Sequence, residues 1–383
     1  MPSRPCWDAS LRRRWRDMPG LRVTIVGLGL MGGSMGMALR RAPGIARIVG
    51  VARRPETAAE AVAVGAADEA TADLQEGVAG ADVVVFATPV RTIPGLVSEC
   101  RPALRPGTVV TDVGSTKAEL CRQIPPLLPP GVEFVGGHPM AGSEQTGLTA
   151  ADPYLYQNAI YVITPPDPKQ QGLERVKQLA QAVGAQPIVL SPEQHDRTVA
   201  AVSHLPHLVA TALVCAAAEA MKDQPELLAL AAGGFRDTTR VASGDPVMWR
   251  DICLTNRGPI LEMIDQFLSA LQHVRTAIEA GDGRGLVFHM EQAREVRRQL
   301  PRHRKGIAGP MWELVVQLAD RPGAIAEVSS CIAEKGINIK DIEILRVREG
   351  EGGTLRLGFA SEQDVQRAMA QLVSRGFAAR RRG

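Results

Sequence analysis

The sequence predicts three consecutive parts: a doubly wound parallel α/β domain over residues 21–190, an all-helical domain over 191–304 and a ferredoxin-like α+β module over 310–383. Three observations carry this. From Leu21, short apolar runs alternate with helical stretches; at Ser191 the strand signals stop; beyond the basic stretch Arg302–Gly309 a β-α-β-β-α order begins. A chain of 383 residues, 45% of them apolar, is long enough for more than one core.

In the first part, LRVTIVG from Leu21 is followed by a glycine turn, a helix through Met37–Arg41, the strand RIVGVA and an alanine-rich helix near Thr57–Val64. Further strands are expected at 82–87, 108–113, 132–137 and 159–164, then a helix at Gly172–Val183 and a strand at Gln186–Leu190. These runs are too continuously apolar to keep a wet face, which favours a parallel sheet covered on both sides. In the second part, His204–Met221, Pro225–Ala232, Pro246–Asp251, Arg257–Ala280 and Gly285–Gln299 read as helices. Helices this apolar need partners, and packing against a second copy in a homodimer is the simplest supply. In the third part, Asp320 is expected to cap a helix whose first turn holds Pro322 and which Gly336 stops. A last helix runs from Glu362 to about Ser374, with a short strand at Gly376–Arg380 to follow.

Composition excludes several classes. The net charge is +3, with basic clusters at Leu11–Arg16, Arg294–Lys305 and Arg380–Arg382, and only 4% of residues are aromatic. Nucleic-acid binding would gather basic residues on one face among stacking rings. No run reaches the ~18 uninterrupted apolar residues of a membrane span, and no secretory apolar region opens the chain. A cytoplasmic enzyme is expected. The segment before Leu21 fits either a disordered basic arm or a stretch ahead of a start at Met18. Six scattered cysteines without a Cys-x-x-Cys pair predict buried, reduced thiols rather than disulfides or zinc.

The chemistry-bearing residues cluster where strands end. Gly27-Leu28-Gly29-Leu30-Met31-Gly32 follows a strand and opens a helix, the setting in which backbone N–H groups and a helix N-terminus meet a pyrophosphate. At the end of the second strand, where an acidic ribose ligand is usual, stand Arg53 and Arg54. A guanidinium suits a 2′-phosphate, so NADP is favoured over NAD; arginines stacked on adenine or facing water would leave NAD usable. Thr88-Pro89 ends the fourth strand, Gly114-Ser115-Thr116-Lys117 the fifth, and His138 emerges in the loop after the sixth, where a nicotinamide would lie. Imidazole is the usual general base near neutrality, which makes His138 the candidate base. His204 and His207, spaced i,i+3, are candidate substrate contacts; no third and fourth ligand accompanies them, so no metal is expected. Gly233–Arg240 reads as a glycine-led polar loop whose Arg236 and Arg240 suit a dicarboxylate, with an ion pair to Asp237 as the plainer alternative.

Taken in order, the glycine motif, Thr111–Lys117, Gly136–Glu144, Ser203–His207, Gly233–Arg240 and Asp245-Pro246-Val247-Met248-Trp249-Arg250-Asp251 resemble the motifs of the prephenate/arogenate dehydrogenase family across residues 21–300, and the tail from Met311 resembles an ACT domain. The resemblance implies a Rossmann-type nucleotide-binding domain, a helical substrate and dimerisation domain and a regulatory module. It implies oxidative decarboxylation of prephenate with hydride transfer to NAD(P)+, His138 as base, Ser115 orienting the ring hydroxyl and nicotinamide, His207 and Arg240 binding substrate, and Trp249 lining the pocket. For the tail it implies an effector, tyrosine or a relative, near Asp320, Gly323 and Asn338 or at a contact between two such modules. Arg53 departs from the acidic residue of many NAD-using members. The rival readings are arogenate dehydrogenase and a catalytically silent dinucleotide and amino-acid sensor.

Overall fold

The computed structural model describes residues 20–143, 145–299, 311–319, 321–348 and 352–382. The basic arm, Met18, Glu144, the stretch Arg302–Gly309 and Asp320 lie outside them. The chain forms two compact units, one ending at Arg297 and one beginning at Arg298.

The first unit opens with β1 (Leu21–Val26), α1 (Leu30–Leu39), β2 (Ile45–Val51), α2 (Pro55–Ala63), β3 (Glu69–Thr71), α3 (Leu74–Val78), β4 (Val83–Phe86), α4 (Ile93–Cys100), β5 (Val109–Asp112), α5 (Ala118–Gln123) and β6 (Glu133–Phe134). The strands form one parallel sheet in the order β3-β2-β1-β4-β5-β6, the doubly wound arrangement. Successive side chains of a strand face opposite sides, and the core shows it: Val23, Ile25, Val83 and Val85 pack in one layer, Val26, Val84 and Phe86 in the other. Each such side chain, fully withdrawn from water, contributes roughly 1.5–3 kcal/mol.

Beyond β6 the expectation of one continuous sheet fails. The run 132–137 is split, and β7 (Gly136–Pro139) leaves to pair antiparallel with β8 (Ile160–Thr164), which pairs parallel with β9 (Gln186–Val189) after α6 (Gly172–Ala182). The reason is local. A Cβ on Gly137 would stand 2.6 Å from the Asp112 carbonyl oxygen, so only glycine lets the chain cross the end of β5 this closely, and the Gly137 N–H donates to Asp112 Oδ1 at 3.1 Å. His138 consequently sits in a strand, not in the loop that the sequence suggested.

The helical part starts earlier than expected, with α7 (Pro192–Val199). Ser191 and Gln194 form a reciprocal capping box that starts α7 despite its polar sequence. A π-helical turn over Ala200–His204 joins it to α8 (Leu205–Ala220). The predicted helix Pro225–Ala232 is a 3-10 turn, Pro225–Leu230, and the predicted loop at Gly233–Arg240 is instead α9 (Gly233–Thr239) leading into a 3-10 turn, Arg240–Ser243. Then come α10 (Pro246–Thr255), α11 (Arg257–Glu279) and α12 (Gly283–Gln299), the last ending at the residue the sequence suggested. Leu261, Leu268, Leu271 and Ile278 form an exposed apolar stripe on α11, continued by Val287, Phe288 and Met290 on α12. The run Pro192–Ala220 is long and apolar enough, by composition, to cross a membrane. It also carries His195, Asp196, His204 and His207, all buried in this unit. Among the described cysteines, Cys100, Cys121 and Cys331 are buried, Cys253 is partly buried, and Cys215 on α8 is exposed, contrary to the expectation of uniformly buried thiols.

The second unit comprises β10 (Trp312–Leu318), α13 (Ala324–Ala333), β11 (Asp341–Arg348), β12 (Gly352–Phe359), α14 (Glu362–Ser374) and β13 (Ala379–Arg382). Its antiparallel sheet has the order β11-β12-β10-β13, the ferredoxin-like arrangement, with Leu314, Val316, Leu355, Leu357 and Phe359 facing the two helices. Gly323 (φ +88°), not Pro322, adjoins the first residue of α13. On the opposite face, buried Arg356 is paired with Glu313, Asp341 and Glu343.

Candidate active site

The glycine motif folds as a dinucleotide cradle. A Cβ on Gly32 would fall 1.9 Å from the Gly27 carbonyl oxygen, and one on Gly27 (φ +99°) would fall 2.7 Å from that of Ala87, so the turn itself demands these glycines. Gly29 differs: no atom of the protein lies within 4 Å of its would-be Cβ. Open space at the N-terminus of α1 fits a diphosphate, whose charge the helix end favours. Leu30 and Met31 form the first turn of α1, and the Met31 carbonyl accepts from the Tyr156 hydroxyl at 2.6 Å. Thr88 and Pro89 follow β4, both held by Thr92 Oγ1, at 3.0 Å to Thr88 Oγ1 and 2.7 Å to the Pro89 carbonyl. Arg53 and Arg54 are exposed just beyond β2.

His138 is buried beside the end of β5. Its Nδ1 lies 2.8 Å from His195 Nε2, and His195 Nδ1 lies 2.7 Å from Asp196 Oδ1. The Asp196 carboxylate is in turn gripped by the backbone N–H groups of Lys117 (2.8 Å) and Ala118 (2.9 Å) at the start of α5. Behind them the fully buried Lys117 ammonium is paired with Asp112, whose Oδ2 also accepts from the Gly114 N–H at 2.8 Å. Burial, reinforced by the fields of His195, Lys117 and His204, holds the His138 imidazole well below its ordinary 6.5. A neutral imidazole is a base ready to accept a proton. Ser115, half-buried, lies in the turn between β5 and α5, two residues before Lys117.

The same network reaches the second pair of histidines. Asn256 Nδ2 donates to the Asp196 carbonyl at 2.8 Å and lies 3.1 Å from His204 Nδ1. Trp249 stacks on His207 with ring centres 3.5 Å apart and planes 9° from parallel, and meets His204 edge-on at 6.0 Å. Burial pushes His204 down to about 4 and lowers His207, for which a hydrogen bond to the Val241 backbone works in the opposite sense. Neither ring is a standing cation near neutrality. Arg240, exposed, opens the short turn that contains Val241 and packs on α8 beside His207. Among the described residues no group of three or more His, Cys, Asp or Glu side chains is placed to hold a metal ion.

The sequence profile of the prephenate dehydrogenase nucleotide-binding domain matches residues 35–189, that of the prephenate dehydrogenase dimerization domain 191–292, and that of the ACT domain 312–374. The prephenate dehydrogenase of Bacillus subtilis (strain 168) is 37% identical over 348 residues, 90% of this chain and 94% of its own length. The chain belongs to the prephenate dehydrogenase family. Among solved structures, the prephenate dehydrogenase of A. aeolicus in complex with hydroxyphenyl propionate and NAD+ superposes with a TM-score of 0.68 at 34% identity, covering 74% of this chain and 99% of that one. Synechocystis arogenate dehydrogenase gives 0.64 at 33% identity, covering 73% and 99%.

As a member of this dehydrogenase family the chain is an oxidoreductase with a nucleotide-binding domain, a dimerisation domain and an ACT domain. Of the residues singled out in the sequence, His138, His204, His207 and Trp249 belong to one connected cluster, while the cradle glycines and Arg53 lie along the strand ends of the parallel sheet. Gly323 and the exposed Asn338 lie in the other unit. Sequence reasoning gave no role to His195, Asp196 or the Asp112–Lys117 pair, and missed Asn256. The adjacent His195-Asp196 at a helix start, and a lysine five residues after an aspartate in Thr111–Lys117, were the available signals.

Proposed function

We propose that the protein is a cytoplasmic NADP- or NAD-dependent prephenate dehydrogenase that converts prephenate to 4-hydroxyphenylpyruvate on the route to tyrosine. The observation that carries this reading is a buried, neutral His138 at the end of the parallel sheet, joined through His195 to the helical part. A nicotinamide dinucleotide, when bound at Gly27, Gly29, Leu30, Met31, Gly32, Thr88 and Pro89, supplies the hydride acceptor, and Arg53 favours the 2′-phosphate of NADP.

His138 draws on the ring hydroxyl of prephenate while Ser115 keeps that hydroxyl and the nicotinamide in line. As the hydroxyl-bearing carbon gives up its hydride, the bond to the ring carboxylate breaks, carbon dioxide leaves and the ring becomes aromatic. The proton lent to His138 returns to the phenolic oxygen, so charges balance. Arg240 pairs with a substrate carboxylate, His204 and His207 contact the substrate as neutral donors or acceptors, and Trp249 closes the wall. The exposed stripe on α11 and α12 suits a homodimer, since apolar surface of this extent needs cover. The boundaries 21–190, 191–304 and 310–383 divide cofactor, substrate and effector functions, with tyrosine binding near Asp320, Gly323 and Asn338. Free thiols at all five described cysteines accord with a reducing compartment.

Arogenate dehydrogenase is the second reading, favoured by the similarity to the Synechocystis enzyme. Turnover of prephenate and of arogenate, each with NAD and NADP, separates the readings. Turnover of neither would leave only a non-catalytic dinucleotide and amino-acid sensor.

A further inference from the structure

We infer that His195 and Asp196 are positioning residues that fix the tautomer of His138, placing its proton on Nδ1 and leaving Nε2 as the bare, basic nitrogen. The inference deepens the proposed function and rests on its assignment of His138 as the base.

A carboxylate offers acceptors only. Asp196 Oδ1 already accepts from the Lys117 N–H, Oδ2 accepts from the Ala118 N–H, and Oδ1 also lies 2.7 Å from His195 Nδ1. The proton in that last link therefore belongs to His195 Nδ1. With that as its single proton, His195 presents a lone pair at Nε2, 2.8 Å from His138 Nδ1, and the inferred donor in this link is His138. Its remaining nitrogen, Nε2, carries no hydrogen. The rings meet edge to face, with centroids 5.0 Å apart and planes at 72°, so the link also fixes the tilt of the His138 ring.

Nothing in this relay is free to turn. His195 is fully buried, Asp196 is held at the first turn of α5 and, through its carbonyl, by Asn256, and α7 is locked by its own cap. In this arrangement a proton taken up at Nε2 leaves the Nδ1–H···His195 bond in place, and the bond strengthens as the ring gains charge. The roles are divided among three elements, with the base on β7, the group that orients it on α7, and the N–H donors that fix that group at the start of α5. A histidine free to exchange tautomers would spend part of its time with Nε2 protonated and unable to accept.

The deciding measurement is the 15N–1H spectrum of histidine-labelled, full-length enzyme near neutral pH, with the His138 resonance assigned by its loss in His138→Asn. We expect a protonated Nδ1 and a bare Nε2 on His138, and a protonated Nδ1 on His195. A proton on Nε2 of His138 would overturn the inference. In His195→Leu the His138 signal should show mixed tautomers and kcat should fall by roughly 10²-fold or more, the scale of a misprotonated base, with KM and cofactor affinity little changed. His195→Gln, whose amide oxygen can accept from Nδ1–H, should recover part of that loss. A folded His195→Leu with unaltered kcat would equally refute it. If the unmodified enzyme turned over neither prephenate nor arogenate, the proposed function would fail while the spectrum still reported the tautomer.

Discussion

Lowering the pH from 7 to 5 should destabilise the first unit through His204. Its pKa is pushed down to about 4 from 6.5 because the ring is buried, 1% exposed, and its Nδ1 faces the Asn256 amide N–H. The unfolded chain takes up a proton at this ring as pH falls through 6.5, whereas the folded chain resists until about pH 4. Stability is therefore fully present above the unfolded value and is lost as pH drops towards the folded one. At about 1.4 kcal/mol per unit of separation the ceiling is about 3 kcal/mol, of which about 2 kcal/mol is gone by pH 5. His138, shifted in the same direction, adds to the effect. Urea unfolding at fixed protomer concentration, followed across this pH range for the unmodified protein and for His204→Asn, checks it. The variant keeps an acceptor near the Nδ1 position but cannot titrate, so its curve should be flatter by about 2 kcal/mol between pH 7 and 5. Identical pH slopes for the two proteins would refute the reasoning.

His138→Asn should lower kcat by ~10²–10⁴ with little change in cofactor affinity, measured by steady-state kinetics and cofactor titration; the acid limb of the rate profile, lying below pH 6.5 in the unmodified enzyme, should vanish. Arg53→Asp should shift preference from NADP towards NAD, read as the ratio of kcat/KM for the two; an unmodified enzyme that already prefers NAD by a wide margin ends that idea. A chain ending after Lys305 should stay active yet lose most of its inhibition by tyrosine, a coupling of ~1–3 kcal/mol seen in inhibition curves. Equal inhibition of the shortened chain would put the effector in the active site instead.

Much of the fold was legible because it follows from local pattern. β4 is a continuous apolar run, β1 and β5 are largely apolar and buried, and Gly27 sits where a parallel strand must turn into a helix. What failed was what pattern does not encode. An apolar run such as 159–164 says strand but gives no direction, so the antiparallel pairing of β8 with β7 was hidden until the close passage at Gly137 was visible. α7 lacked apolar periodicity, and only its cap, Ser191 with Gln194, marked it as helix. α9 was read as loop because two glycines and polar residues outweighed its helical geometry. For the candidate site, strand-end logic found His138 and the cradle. The partners that tune the base come from distant segments and are joined by hydrogen bonds, which single-residue reasoning cannot pair.

That distance has a consequence for how the molecule acquires its competence. Lys117 meets Asp196 across 79 residues, His138 meets His195 across 57, and Thr116 meets Thr255 across 139. Bringing such separated segments together carries a loop-closure entropy that grows with length, and contacts of this kind slow the search for the native state. The β1–α1–β2 cradle, by contrast, closes within about thirty residues of chain, the span of one βαβ unit. Newly made or refolding chains should thus recover cofactor binding before turnover, with an interval during which the protein holds its dinucleotide over an unfinished catalytic floor. Parallel recovery of the two, followed by cofactor fluorescence and activity in one refolding experiment, would show instead that α7 docks as early as the cradle forms.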